Sequence, residues 1–326
     1  MKAKKLNCLS LLSLLMLAAC GDGGDESVST SSVSVGFSDF PIQEVEAVVL
    51  TVESLSFRSD DELIVVEQFT SKDLGLEAAE RFSFDLLDVQ GNDYKLVLDD
   101  VELPIGQYQS LIVNVLAHDI EQSYVLETDS NTPLELKVPS GELKLGAFNV
   151  DERSTQTLIV EFDLNQAMTY NPSPERYILK PRGVRIVGLE QAATLVGDVD
   201  LIALHQVEAC SDKAELELGN AVYLYPGHGH DVSLLSDAHD SLASAPSTIV
   251  MPYAIAPVLA DGSYQMPFIE AGDYTLAFNC LASEDNNDLY QRQQIPLPST
   301  ELIELSFAPG EDALCNLPQQ NGQCGP

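Results

Sequence analysis

Tryptophan is absent from this chain and basic side chains are scarce: 16 Lys and Arg stand against 51 Asp and Glu, a formal net charge of −35. A surface so acidic repels phosphates, which excludes nucleic acid and anionic lipid heads as partners and favours cations instead. Without tryptophan, the strongest stacking platform for a sugar ring is missing. No Gly-x-Ser-x-Gly elbow, His-Glu-x-x-His pair or phosphate-cradling glycine loop occurs, so the signatures of the common hydrolases and nucleotide enzymes are lacking. No apolar run reaches the roughly 20 residues that span a bilayer. What is present is enough for a packed interior: 45% of the residues are hydrophobic, which argues against disorder despite the charge. A chain of 326 residues leads to an expectation of two domains.

The first residues form a three-part export signal. Lys2, Lys4 and Lys5 make a positive end, Leu6 to Leu17 an apolar stretch, and Ala18-Ala19 the small residues before Cys20. The tetrad Leu17-Ala18-Ala19-Cys20 looks like a lipobox, in which the cysteine sulfur is diacylated, residues 1–19 are removed and the new amino end is acylated. Two or three acyl chains, palmitate among them, give stable attachment because each buried methylene contributes about 0.8 kcal/mol. The signal carries three lysines and no acid, so the mature charge falls to −38. Gly21 rather than Asp after Cys20 points to the outer membrane of a Gram-negative envelope. Residues 20–33 read as the lipidated cysteine and a flexible Gly/Ser tether.

From residue 34 to 190 short alternating runs are broken by Gly, Pro, Asn and Asp, the pattern of β structure. Leu134, Leu136 and Val138 share one face against Glu135 and Lys137. Leu158, Val160 and Phe162 repeat the pattern, which places Glu161 and Asp163 on a wet face. Ala47–Phe57 and Tyr108–Leu116 suit central strands, and only Leu74–Arg81 has a helical look. Residues 193–308 form a second β unit, with strands expected at Thr194–Leu204, Ala221–Tyr225, Ile249–Val258, Ser263–Phe268, Asp273–Cys280 and Glu301–Phe307, and residues 309–326 a tail. The fold class is all-β, two antiparallel β-sandwiches, Ig-like or transthyretin-like. Four cysteines remain beyond Cys8 and Cys20, and an exported chain favours disulfides. Three pairings are possible; Cys210–Cys280 with Cys315–Cys324 is preferred because the second closes a short Pro/Gly/Asn-rich loop.

Several motifs together resemble a bacterial lipoprotein family known only as a domain of unknown function, four-three-eight-two. They are Ser38-Asp39-Phe40-Pro41, Phe84-Asp85-Leu86-Leu87, Leu103-Pro104-Ile105-Gly106-Gln107-Tyr108, Val138-Pro139-Ser140-Gly141, Val160-Glu161-Phe162-Asp163, and Tyr177-Ile178-Leu179-Lys180-Pro181 with Arg185. Phe40 stands where that family usually has Ala, and the stretch from Gly141 to Lys144 is shorter than usual. The second unit resembles the carboxypeptidase-regulatory, transthyretin-like sandwich through Gly197-Asp198-Val199, Asp261-Gly262-Ser263-Tyr264 and Glu270-Ala271-Gly272-Asp273-Tyr274. That resemblance implies a module that binds or spaces.

Candidate chemistry is sparse. His228, His230, Asp231 and His239 fall within a polar insert and could ligate a transition metal, zinc, copper or nickel, although a solvated loop explains them as well. Asp60-Asp61-Glu62, Asp99-Asp100 and the run from Glu284 to Asp288 could offer oxygens to calcium, without the full spacing of a calcium loop. Tyr223, Tyr225, Tyr253, Tyr264 and Tyr290 could serve a glycan if exposed. Ser140 and His118-Asp119 offer a hydrolase nothing beyond a turn and a strand end. The expectation is a non-enzymatic envelope lipoprotein acting as a structural or protein-interaction module, with no required cofactor. The alternatives are a binding module for calcium, a transition metal or glycan, and, behind it, a hydrolase.

Overall fold

The computed structural model describes residues 29–40, 45–117, 119–128, 130, 132–152, 155–204, 206, 210–237, 249–284, 302–318 and 324–325. They are almost entirely β. The signal, Cys20, His118, His239 and Tyr290 lie outside them.

In the first sandwich a four-stranded sheet has the order Val184–Gly188, Thr155–Phe162, Thr30–Asp39, Lys95–Pro104, so residues 30–33, expected in the tether, instead belong to a strand with Val33 fully buried in the core. Its two central strands run parallel, Val35 beside Leu158 and Phe37 beside Val160, and the outer pairings are antiparallel. The facing sheet of ten strands is organised by Val45–Ser59, fifteen residues long, which pairs along its length with Gly106–Val115, Tyr124–Glu127, Leu63–Val66 and Phe82–Asp85. Apolar residues at every second position fill the space between the sheets, with Phe37 meeting Phe84 and Phe162 edge-on. The expected helix at Leu74–Arg81 does not form. Gly75 takes a left-handed turn (φ +63°), and Leu76–Ala79 returns as a strand paired with Phe69–Ser71, where Phe69 is fully buried. Eight residues cannot sustain a helix once a buried aromatic fixes the neighbouring strand.

The second sandwich pairs a sheet of order Ser263–Ile269, Ala193–Asp198, Ala313–Cys315, Cys324–Gly325 with one of order Ala254–Pro257, Ala221–Pro226, Gly272–Asn279, Ile303–Phe307. Three expected strands are shorter. Thr194–Leu204 breaks after Asp198, because the Asp200 carboxylate accepts the Ala203 amide and starts a helical turn at Leu201–Leu204. Pro252 delays the strand expected from Ile249 until Ala254, and the last strand starts at Ile303. The tail joins the sheet: Leu195 and Val196 pair in parallel with Ala313 and Leu314. Asp261-Gly262 makes a tight turn, with Gly262 at φ +90°. Cys210 is bonded to Cys280 and Cys315 to Cys324, and Cys280 is fully buried.

Both sandwiches use the same tyrosine device. The Tyr108 hydroxyl donates to the Pro104 carbonyl at 3.0 Å, and the Tyr274 hydroxyl donates to Glu270 at 3.0 Å, each four residues back across a Gly-x-Tyr step. Each closes a corner between a turn and a core strand, as tyrosine corners do.

Candidate functional site

Burial along the two parallel strands changes partway. Thr30–Asp39 alternates up to Val35 and is then buried at every residue, and Thr155–Phe162 does the same from Leu158. One face fills the first core throughout; the other is covered by the second sandwich over the last turns of pleat. Ile159 and Val187 there pack on Phe268. Gly36 keeps that face low, since a Cβ would lie 2.9 Å from the Ile159 side chain. Phe268 is aimed at them by a register shift in the pairing of Ala193–Asp198 with Ser263–Ile269, and it holds φ +50°, a conformation that costs a non-glycine residue energy.

This covered face brings together three of the motifs. Sheet register sets Ser38 beside Glu161 and Glu161 beside Arg185, one row across three strands. Asp163 follows directly. The wet face expected for Glu161 and Asp163 is therefore corrected: both side chains, and Asp39, are wholly buried. A strand's period of two separates its faces but does not say what lies against the second one.

Asp163 Oδ2 accepts from Gln166 Nε2 at 2.6 Å and, across the junction, from the Ile255 amide at 3.3 Å. The Arg185 guanidinium reaches the Tyr253 and Pro267 carbonyls at 3.5 and 3.4 Å, stands 4.9 Å over the Tyr253 ring, and lies 4.0 Å from Glu161 Oε1. Ser38 donates to the Asp93 carbonyl at 2.7 Å. Neither oxygen of Glu161 nor of Asp39 accepts a well-formed hydrogen bond. Burial is the main cause that raises all three carboxyl pKa values. It pushes Glu161 up to about 8 against the pull of Arg185 and Ser38. Asp39 rises well above the usual range, helped by the charges of Glu161 and Asp163, and Asp163 rises despite Gln166 and Arg185. Burial works against the Arg185 charge, but Tyr253, Glu161 and Asp163 around it outweigh that and hold its pKa up. Glu270, on the rim, is also raised by burial and opposed by Arg185. A buried cluster of this kind can hold protons and orient two bodies.

Phe40 completes the junction. Its amide donates to the Phe162 carbonyl at 2.7 Å, in the first sandwich, while its fully buried ring belongs to the second core. A cavity of about 370 Å³ borders it, lined also by Gly91, Val196, Leu259, Tyr264 and Leu314.

The other sequence candidates are placed differently. His228 Nε2 meets the Leu305 carbonyl at 2.9 Å and its Nδ1 lies 3.8 Å from Glu304; His230 Nε2 meets the Pro226 carbonyl at 2.8 Å. Asp231 accepts from the amide and hydroxyl of Ser233, which lowers its pKa. Among the described residues no group of three His, Cys, Asp or Glu is arranged to hold a metal ion. Tyr223, Tyr225 and Tyr264 are buried core residues, so the exposed tyrosine platform is corrected as well; their rings fill the sandwich or its flank. Ser140 is a turn residue at φ +64°. The sequence offers Arg185 only as a motif residue, and Glu161 and Asp163 as motif residues on a wet face. Ile159 and Val187, apolar on the supposedly wet face, were the available signal for a second covering layer.

Residues 30–181 match the family described as Domain of unknown function (DUF4382). No curated protein matches the chain. Among solved structures, the Bacillus anthracis TIE protein is 12% identical over 90% of this chain and 34% of that one, with a TM-score of 0.20. A leucine-rich repeat protein from Bacteroides thetaiotaomicron is 9% identical over 89% and 26%, TM-score 0.20. This chain thus spans about a third or less of either. The shaft pilin spaA of Lactobacillus rhamnosus GG is 10% identical over 88% and 98%, TM-score 0.16. Similarity this slight carries no argument.

Proposed function

We propose that the chain is a non-enzymatic envelope lipoprotein, anchored through Cys20 to the outer membrane, that presents its two sandwiches as one interaction module. The observation that supports this is the junction. The carboxyls with the most perturbed pKa values, the usual markers of a reactive site, are buried at the junction, where Asp163 and Arg185 are tied to backbone of the second sandwich. Such groups serve to fix one body against the other. A rigid pair loses less freedom on meeting a partner than two bodies on a loose linker, so its binding is tighter for the same contacts. The reading is tested in two steps. Cys20→Ser should abolish incorporation of labelled palmitate and move the chain out of the membrane fraction; a variant that stays in the membrane refutes the anchor. Crosslinking in intact cells should give discrete partners with the wild type, while reproducible turnover in a hydrolase panel, lost on substituting one Ser, His or acid, would refute the non-enzymatic role.

A further inference from the structure

Asp39, Glu161 and Asp163 are all buried at the junction, near enough that the charges of Glu161 and Asp163 raise the Asp39 pKa, and Arg185 lies 4.0 Å from Glu161. From the second sandwich Glu270, Tyr253 and Tyr274 face Arg185, and Tyr94 lies against Phe268 beside it. Arg182 donates to the Gln166 carbonyl at the edge of the cluster. Full ionisation would leave more negative than positive charge around three buried carboxyls, at several kcal/mol for each buried ion without a partner. A cation could relieve this, but the carboxyls do not converge as ligands among the described residues and a guanidinium stands among them. Protons relieve it without new geometry.

We propose that the junction is a proton-controlled latch: with Glu161 protonated, Arg185 and Asp163 hold the second sandwich by its Tyr253, Pro267 and Ile255 backbone groups, and loss of the Glu161 proton loosens that hold. This goes beyond the proposed anchoring role and stands whether or not Cys20 is lipidated. The direction follows from linkage. A carboxyl whose pKa is raised in the folded state contributes stability that is complete below its unfolded value, 4.5, and is lost as pH climbs through the folded value of about 8. Loss of the Glu161 proton is therefore centred at about pH 8. Ordinary surface carboxylates have finished titrating well below pH 6.5.

The test is small-angle X-ray scattering and thermal unfolding of the full chain from pH 6 to 9, for the wild type and Glu161→Gln. Expected are a larger radius of gyration and a lower melting temperature for the wild type at pH 9 than at pH 6, and little change in either for the amide. A wild type with constant radius and melting temperature, or an E161Q protein that expands as the wild type does, overturns the proposal. Should E161Q not fold, infrared spectra of the wild type decide: a protonated-carboxyl band that fades between pH 7 and 9 supports the latch, and its absence at pH 6 overturns it. A pH response abolished by calcium and restored by chelator would assign the cluster to a cation and also overturn it.

Discussion

Phe40→Ala tests whether one residue of the first strand is part of the second core. The ring is fully buried, and a buried phenylalanine withdraws about 200 Å² from water, worth about 5 kcal/mol at 25 cal/mol per Å². Measured losses for such truncations run at about 3–5 kcal/mol. The cavity already bordering Phe40 lets water reach the space left behind, which places the loss near the lower end, about 3 kcal/mol. For a body of this size that is a drop of about 6–12 °C. Differential scanning calorimetry should show the transition of the second sandwich moving down by this amount, away from that of the first. Hydrogen exchange should report faster opening of the strands at Ala193–Asp198 and Ser263–Ile269, whose residues share its cluster. A loss below about 1 kcal/mol, outside that measured range, or an equal loss in the first sandwich, would refute the placement of Phe40 in the second core.

Replacing Cys210 and Cys280 together by Ser removes a crosslink spanning 70 residues and should cost about 4 kcal/mol in urea unfolding, against about 2.6 for the 9-residue Cys315–Cys324 loop. Gly197→Ala should detach the tail strand, because its Cβ would sit 1.8 Å from the Cys315 carbonyl oxygen; faster hydrogen exchange at Ala313–Cys315 is the readout, and unchanged protection would contradict it. Zinc should leave the melting temperature unchanged, since His228 and His230 each have a ring nitrogen bonded to a backbone carbonyl; a chelator-reversible rise would show that the insert rearranges around the ion. In the pH series above, wild-type stability should fall from pH 6 to about pH 8 and level beyond, with that fall absent in E161Q.

What the sequence made legible was whatever depends on one face of one strand. The alternation of Leu158, Val160 and Phe162 located the first core, and the expected strand Asp273–Cys280 lies in the second. Turn chemistry at Asp261-Gly262 was equally plain. The junction was not, because it depends on a second layer that no local period encodes. Glu161 reads as a solvated acid until the second sandwich covers it, and Phe40 reads as a strand end until its ring enters a core that begins 150 residues later. Leu74–Arg81 failed for a related reason: the partner that makes it a strand, Phe69–Ser71, is only three residues long and too short to announce itself.

The parallel pairing of Thr30–Asp39 with Thr155–Phe162 also sets an order of events. Residues that lie side by side are about 120 apart in the chain, and contacts so distant form slowly. As the chain lengthens from its amino end, its first strand has no neighbour in this sheet until Lys95–Pro104 arrives, and its second edge is not paired until Thr155–Phe162 is made. Until about half of the chain is made, the strand that carries Val33, Val35 and Phe37 therefore presents an open edge.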